Sequence, residues 1–376
     1  MKTVFIQNII SPYRARFFNK LSLQDDSFGV YYLGESEADR NWDISKIPMN
    51  HNYWVDRFGL YFMLKGFHFH INPVLICKTL FSSKIKNVIL CVSYCDISIM
   101  ALCLAKKMHL TSKRFFFWAE ANHLTNGARN ESEFKSRLRK WVFSAVDGAM
   151  IIPGRMSEIT FEKWGVPVKE FIHLPNTIDD DAMIYEGNNQ RDKNDLPVFI
   201  IPIRLIESLK GAINFFDAIG CDNVKRAKFI IAGDGEDKSL YADYIKDHHY
   251  ENNIILAGFC DSVKMKELYN NANALLLPSF SDPSPLTLVE GLKFNLPILC
   301  STHCGNHFEA VEENVNGNTF SPLDPSEIKQ TFEEFLSKRG DWTVMGEKSG
   351  MIYEDKFQTD KVVRKFITNF NQLKKE

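Results

Sequence analysis

The chain has 376 residues, of which 45% are hydrophobic and 24% charged, and its formal net charge is −2. This composition is typical of soluble globular domains and excludes disordered, collagen-like and disulfide-stapled chains. The charge is uneven, because residues 1–178 hold 23 Lys and Arg against 15 Asp and Glu, a net +8, whereas the remainder holds a net −10. A basic first half favours contact with an anionic partner.

Short apolar strands alternate with helical patterns in two successive arrays. Predicted strands of the first array are Val4–Ile10, Phe28–Leu33, Val88–Val92, Phe115–Ala119, Ala149–Ile152 and Phe171–Leu174. Predicted strands of the second are Val198–Ile203, Phe229–Ala232, Ile254–Ala257, Ala274–Pro278 and Pro297–Cys300. Predicted helices are Ser98–His109, Glu131–Ser144, 211–221, 237–248, 264–272, 285–294 and Thr359–Leu373. The pattern predicts an α/β fold of two Rossmann-like, doubly wound domains that face each other across a cleft.

The domain boundary is predicted in the polar, acidic segment Asn176–Pro197, which reads as a linker. We expect domains at 1–178 and 179–358, with a last helix at about 359–376 that packs back on the first domain. Because ligands bind outside the carboxyl ends of parallel strands, the site residues are expected just after strands.

The cellular compartment is predicted to be the cytoplasm. The eight cysteines lie mostly in apolar runs and lack the paired spacing of a zinc site. The N-terminal sequence lacks a signal-peptide pattern, and the apolar stretch Val88–Ala105 is too short to span a bilayer and contains Asp96.

The most informative segment is Leu275–Pro297, where a strand is followed by a loop and a helix. Ser284 is the predicted N-cap and Pro285 the predicted first helical residue. The backbone amides of Leu286 and Thr287 then point out of the positive end of the helix, which is a good phosphate site.

Two carboxylates flank this helix start. Asp282 precedes the helix and Glu290 lies inside it eight positions later, so both can accept hydrogen bonds from sugar hydroxyls. The arrangement suits a sugar–diphosphate–ribose ligand. The simpler alternative is a helix cap with one exposed glutamate.

Two cations follow the first strand of the second array. Arg204 comes after that strand and Lys210 begins the next helix, so both can neutralise a diphosphate without a metal. The alternative is a pair of solvated surface charges.

Other signals are weaker. Gly233-Asp234-Gly235 forms a turn after a strand but does not match the dinucleotide fingerprint. Glu120 ends the strand RFFFWAE and His123 lies nearby, so either can face the cleft, although a lone histidine is more often structural. The chain has no G-x-S-x-G, Walker A or H-E-x-x-H motif, so the corresponding hydrolase and ATPase readings lack support.

In order and spacing these segments resemble glycosyltransferase family 4, whose members are retaining nucleotide-sugar transferases of the GT-B fold. The matching residues are Arg204, Lys210-Gly211, Gly233-Asp234-Gly235, Gly258, Asp282-x7-Glu290, Asn295-Leu296-Pro297-Ile298, Gly305-Asn306-x-x-Glu309 and Asn316-Gly317. PNTID (Pro175–Asp179) is similar to the family hinge, and the opening loop SPYR (Ser11–Arg14) resembles a branch that makes surface polysaccharides, such as lipopolysaccharide or capsule. Asp282 replaces the usual first glutamate, and Asn306 replaces the usual second glycine.

The resemblance implies a hexosyltransferase that uses a UDP- or GDP-linked donor, a glycan or lipid-diphosphate-linked acceptor, and no metal. Glu290 would hold the donor ribose, Asp282 the hexose, and Phe259 would lie by the base. Arg204 and Lys210, with the helix amides, would stabilise the departing diphosphate.

Retention would come from front-face attack, with Glu120 or His123 near the anomeric carbon. The second domain would bind the nucleotide sugar and the first domain the acceptor.

Two stretches of the first domain suggest peripheral contact with an anionic membrane surface. Asn126–Phe143 is basic, and Trp54–Phe69 is rich in aromatic residues. The basic side chains of the former are Arg129, Lys135, Arg137, Arg139 and Lys140. The alternative is a helix with a buried aromatic face and a solvated basic face.

Two other functions remain open at this stage. A GT-B-fold UDP-sugar epimerase would share the two-domain cleft but need no acceptor, and a non-catalytic partner subunit would keep the fold alone. Nucleic-acid binding is not supported, because the basic half contains no known motif.

Overall fold

The structure is a computed structural model that describes residues 1–37, 44–64, 67–125, 132–166, 168, 170–187 and 196–373. It contains two parallel sheets, one in each half of the chain, which confirms the two predicted βαβ arrays. Among the described residues, no helix is both long and apolar enough to cross a bilayer.

The first domain is built on a seven-stranded parallel sheet. Its strands and helices in chain order are β1 (Thr3–Gln7), α1 (Pro12–Gln24), β2 (Phe28–Tyr32), β3 (Tyr53–Val55), β4 (Leu60–Leu64), β5 (Phe67–Ile71), α2 (Pro73–Phe81), β6 (Asn87–Leu90), α3 (Ile97–Lys107), β7 (Arg114–Trp118), α4 (Glu133–Phe143), β8 (Ala149–Ile152), α5 (Arg155–Lys163) and β9 (Glu170–His173). The sheet order is β3-β2-β1-β6-β7-β8-β9, and β4 and β5 form a separate antiparallel hairpin.

The second domain repeats the design with six parallel strands. Its elements are β10 (Val198–Pro202), α6 (Glu207–Lys210), α7 (Ala212–Val224), β11 (Lys228–Ala232), α8 (Lys238–Asp247), β12 (Ile254–Gly258), α9 (Ser262–Asn271), β13 (Ala274–Leu277), α10 (Leu286–Lys293), β14 (Ile298–Ser301), α11 (His307–Ala310), β15 (Gly317–Phe320), α12 (Pro325–Ser337) and α13 (Trp342–Lys356). The order is β12-β11-β10-β13-β14-β15. In both sheets the order reverses beside the first strand, and a cleft opens at such a reversal.

The last helix, α14 (Thr359–Gln372), returns to the first domain. Its apolar side, including Val363, Phe366 and Phe370, belongs to the same buried cluster as Phe5 and Phe28. The helical period of these apolar side chains is therefore explained by their contact with the N-terminal part of the chain.

The segment between the domains is packed rather than free. Ile178 is buried, Arg16 pairs with Asp179 at 2.6 Å, and Asp180 accepts hydrogen bonds from Tyr353 and from the Thr359 amide. Residues 188–195 of the predicted linker lie outside the described residues.

Some local expectations are wrong. Three residues of the SPYR segment are not a loop, because Pro12 opens α1, where a proline needs no hydrogen-bonding amide. The strands β3 and β15 and the β4–β5 hairpin have no counterpart in the predicted elements.

Candidate active site

One amide group joins the two domains at the carboxyl ends of their sheets. The Asn176 amide nitrogen donates to Glu120 Oε1 at 2.9 Å and to Ser284 Oγ at 3.2 Å. Glu120 follows β7 of the first domain, and Ser284 precedes α10 of the second. The Asn176 side-chain oxygen is buried and has no hydrogen-bond partner among the described residues. Predicted site residues from both halves thus meet at one place.

The helix α10 begins one residue later than predicted. Pro285 is the N-cap, with φ −62° and ψ 122°, so Ser284 lies one residue before the cap, and its hydroxyl accepts a hydrogen bond from Asn176. Leu286 and Thr287 occupy the first turn, where backbone amides have no intrahelical acceptor. The free backbone amides predicted at this helix start are therefore present, and such amides are groups that can bind an anion.

Lys210 and Asp282 form an ion pair. The Lys210 ammonium lies 2.5 Å from Asp282 Oδ2, and the two side chains are only 18% and 17% exposed. Lys210 ends α6, whereas Asp282 lies in the loop that leads to α10. The structure thus brings together the residues predicted to hold the diphosphate and the hexose.

Glu290 is held by a residue that the sequence did not indicate. Tyr269, on α9, donates its hydroxyl proton to Glu290 Oε2 at 2.6 Å. Burial raises the pKa of Glu290, and the hydrogen bond from Tyr269 opposes this rise. Burial and the neighbouring carboxylate also raise the pKa of Tyr269, so the phenol stays a donor. The pair lies 21 positions apart, and no motif spacing signals it.

Three other predicted residues lie at the same edge of the second sheet. Arg204 is exposed just after β10, and Phe259 is 81% exposed just after β12. Gly233 follows β11 and donates its amide proton to the Gly258 carbonyl at 2.8 Å. A Cβ at Gly233 would lie 1.9 Å from the Ile203 oxygen, so the backbone there needs glycine for a close approach.

Glu120 is oriented by an arginine from the opening helix. Arg14 approaches Glu120 Oε1 at 3.1 Å, and its guanidinium lies 3.6 Å from the centre of the Trp118 ring. Such stacking suits a planar guanidinium and keeps it in place. The Glu120 carboxylate therefore has two donors, Arg14 and Asn176, on separate chain segments.

His123 is engaged within the first domain. Thr160 Oγ1 lies 3.0 Å from His123 Nδ1, and Lys163 Nζ lies 2.6 Å from His123 Nε2. The Thr160 hydroxyl donates to the Met156 carbonyl, so Nδ1 is the donor to Thr160, and Nε2 accepts from the ammonium. Both ring nitrogens are thus occupied, whereas Glu120 is the predicted residue tied to the second domain.

The basic stretch of the first domain is only partly solvated. Its helix is α4, and Lys135, Arg137 and Lys140 are exposed on it. The expectation that Arg139 lies on an exposed basic surface is wrong, because this side chain is buried with its guanidinium 3.6 Å above the Trp164 ring. Arg129 lies outside the described residues.

The described residues of the aromatic stretch lie in β3, in β4, in the segment between these strands and at the start of β5. Trp54, in β3, is half-buried with the Lys78 ammonium 4.2 Å from its ring centre. Every residue of β4 is exposed, and Leu60, Phe62 and Leu64 share one side because side chains alternate along a strand. Contiguous exposed apolar residues of this kind mark a candidate interaction surface.

Metal ligands do not converge in the part of the chain that the structure describes. No group of three or more His, Cys, Asp or Glu side chains is placed to hold an ion within those ranges. The candidate site instead offers two cations, a helix N-terminus and two carboxylates, which are groups suited to a nucleoside diphosphate sugar.

Comparison with known proteins locates a family domain in the second half. Residues 186–350 match the model of the glycosyl transferases group 1 family. An uncharacterized glycosyltransferase of Methanocaldococcus jannaschii is 26% identical over 147 residues, which are 38% of this chain and 36% of that protein. The match thus spans about a third of the curated relative.

Solved structures resemble the whole chain. Anabaena HepE, in complex with UDP, has a TM-score of 0.74 at 13% identity, with 99% of this chain and 100% of that chain covered. The apo lipopolysaccharide outer core galactosyltransferase WaaB has a TM-score of 0.71 at 15% identity, with 98% and 99% covered. The likeness confirms the predicted α/β fold of two Rossmann-like domains. The chain therefore has the GT-B fold, and its residues 186–350 match the glycosyl transferases group 1 family.

Proposed function

We propose that the protein is a retaining hexosyltransferase, similar to glycosyltransferase family 4. It moves a hexose from a UDP- or GDP-linked donor to a glycan or lipid-diphosphate-linked acceptor in polysaccharide or glycoconjugate synthesis. The observation that carries this proposal is the bridge from Glu120 through Asn176 to Ser284. It joins an acidic side chain of one domain to the phosphate-binding helix start of the other.

The donor lies along the edge of the second sheet in this proposal. Glu290, oriented by Tyr269, accepts hydrogen bonds from the ribose hydroxyls, and Phe259 offers an exposed ring to the base. The α10 amides, Arg204 and Lys210 bind the diphosphate. Binding of the diphosphate draws the Lys210 ammonium from Asp282, which leaves that carboxylate for the hexose hydroxyls.

Bond breaking places opposite charges at the two ends of the site. When the anomeric C–O bond breaks, its electron pair goes to the diphosphate oxygen and positive charge grows on the sugar. Preplaced donors at the anion are usually the largest catalytic contribution. The acceptor hydroxyl attacks from the face that the diphosphate leaves, and its proton passes to a departing phosphate oxygen. Glu120, close to Ser284, stabilises the positive sugar.

Relatives support the class of donor and acceptor. HepE has been solved with UDP-glucose as well as with UDP, and WaaB is described as a lipopolysaccharide galactosyltransferase. A UDP-hexose donor and a surface-glycan acceptor are therefore the first substrates to test. We propose that the two cations and the helix start make a divalent metal unnecessary.

Membrane contact is the second part of the proposal. The apolar side of β4 and the exposed cations of α4 belong to the same domain, and lipid surfaces with anionic head groups attract such combinations. Sedimentation with anionic liposomes at low salt is expected to carry the protein into the pellet. Protein that stays in the supernatant under these conditions would remove this part of the proposal.

The transfer reaction is tested with radiolabelled UDP- and GDP-hexoses, with and without extracted glycan and lipid-linked acceptors. The expected result is label transfer that requires an acceptor and gives the same anomer as the donor. Conversion of the donor without acceptor would indicate an epimerase, and no turnover with bound nucleotide would indicate a binding subunit. Lys210→Ala and Glu290→Ala are expected to lose transfer.

A further inference from the structure

Glu309 reaches from the second domain to the first. It lies on α11, yet its Oε1 accepts a hydrogen bond from the backbone amide of Arg155 at 2.7 Å. Arg155 is the first residue of α5, whose N-cap is Gly154. A glycine has no side chain to cap the orphan amides of a first helical turn. The Glu309 carboxylate supplies the missing acceptor, at the helix end where negative charge is favourable.

Gly154 makes room for this carboxylate. Its φ of 175° and ψ of −168° are extended, so the backbone itself does not require glycine. A Cβ at this position would lie 2.5 Å from Glu309 Cδ and Oε2, which is closer than any normal contact. The three atoms nearest to such a Cβ all belong to the Glu309 carboxylate, which accounts for a glycine at position 154.

The capped helix holds the cleft segment of the first domain. Ser157 Oγ accepts from the Ala121 amide at 3.0 Å and donates to the Ala121 carbonyl at 2.9 Å. One and two turns further along α5, Thr160 and Lys163 bind His123. Helix α5 thus fixes the residues that directly follow Glu120.

A second hydrogen bond also joins the two domains. Asn122 donates its amide proton to the His303 carbonyl at 2.9 Å. His303 and Glu309 lie in the same connection after β14, so this connection contacts both the start of α5 and the segment that α5 supports.

We propose that Glu309 is a positioning residue, which sets the orientation of the first domain by capping α5 and thereby places Glu120 over the donor. The proposal rests on the proposed transferase function for its kinetic consequences, but the contact itself can be tested without activity. A misplacement of about 1 Å far from the chemistry can lower a rate by about 100-fold.

The test uses both sides of the contact. Glu309→Ala removes the cap, Gly154→Ala forces the carboxylate away, and the double variant restores space but not the cap. Glu309→Gln keeps an acceptor for the Arg155 amide and is expected to rescue. Matched controls are Gly340→Ala, where a Cβ meets no atom within 4 Å, and Glu312→Ala, a neighbouring exposed glutamate.

The first readout is hydrogen exchange, followed by mass spectrometry. In Glu309→Ala and Gly154→Ala, peptides that cover residues 119–125 and the start of α5 are expected to exchange at least 10-fold faster than in the wild type, Glu309→Gln and both controls. Unchanged exchange in these peptides would overturn the proposal, whatever the activity.

The second readout separates binding from turnover. Because the proposed donor contacts lie in the second domain, Glu309→Ala and Gly154→Ala are expected to keep the wild-type KM for the donor and to lose about 100-fold in kcat. Gly154→Ala should lower kcat by a smaller factor in the Glu309→Ala background than in the wild type, because the carboxylate with which the new Cβ clashes is then absent. Additive effects, or equal losses in kcat and affinity, would contradict a positioning role. A wild type that neither binds a nucleotide nor transfers sugar would instead refute the proposed function.

Discussion

Replacement of Lys210 by methionine removes a charge from the proposed diphosphate site and keeps most of the side-chain length. Removal of one preorganised donor that faces a developing anion typically lowers kcat by about 10²–10³-fold, or roughly 2.7–4 kcal/mol. We expect a loss of this size in Lys210→Met, because the ammonium lies at the loop that leads to α10.

The same substitution also leaves Asp282 without its partner. Breaking a fully buried pair costs about 3–5 kcal/mol, whereas an exposed pair contributes less than about 1 kcal/mol. The side chains of Lys210 and Asp282 are 18% and 17% exposed, so their pair lies between these limits. We expect Lys210→Met to lower the free energy of unfolding by about 1–3 kcal/mol.

A double variant separates the two effects. Lys210→Met with Asp282→Asn removes the lone carboxylate, so thermal stability should return towards the wild type while kcat stays low. Initial transfer rates and melting curves measure the two quantities, with Lys264→Met as the control, because this exposed lysine pairs with Glu267 on α9. Wild-type kcat in Lys210→Met would refute the role of the cation, and full recovery of kcat in the double variant would assign the loss to the unpaired aspartate.

Three further outcomes follow from the site. Burial raises the pKa of Glu290, so ionisation of this carboxyl destabilises the folded state. The free energy of unfolding is therefore highest below the pKa that Glu290 has in the unfolded chain, and it falls as the pH rises through the folded pKa. Glu290→Gln should therefore melt higher than the wild type at pH 8, with the gap narrowing as the pH falls to 4; a gap that does not change with pH would contradict the burial. Gly233→Ala should unfold well below the wild type or fail to fold, since its Cβ would lie 1.9 Å from the Ile203 oxygen, and an unchanged melting temperature would disprove that clash. EDTA should leave the transfer rate unchanged, and loss of activity that Mg²⁺ or Mn²⁺ restores would show a metal requirement.

Most strands of the two sheets were predictable because they are continuous apolar runs bounded by turn residues. Ala149–Ile152 was predicted to the residue, and most other strands were within one to three residues at each end. β15 was not predicted, because the sequence of Gly317–Phe320 is typical of a polar turn. The exposed apolar residues of β4 also hide the alternation that marks a half-buried strand.

The start of α10 shows the limit of local rules. The sequence Ser284-Pro285 satisfies the usual preferences for an N-cap and a first helical residue. Pro285 has a helical φ but an extended ψ, so it becomes the cap itself. The Ser284 hydroxyl is then bound by Asn176, which is 108 residues away in the chain.

Partners from distant segments define the rest of the site. Arg14, Tyr269 and Thr160 each orient a predicted site residue from another element, and no spacing in the sequence relates them. Arg139 was predicted on an exposed basic surface because the sequence does not reveal that Trp164 packs beside it. Side-chain types at strand ends were thus predictable, whereas their orienting contacts depend on the fold.

Isothermal titration of the protein with UDP, GDP and ADP tests most directly whether the cleft captures an activated sugar through its diphosphate. The account predicts that UDP or GDP binds with one-to-one stoichiometry, that Lys210→Met weakens this binding, and that Lys264→Met does not. Absence of binding by all three nucleotides, or equal affinity in the wild type and Lys210→Met, would contradict it.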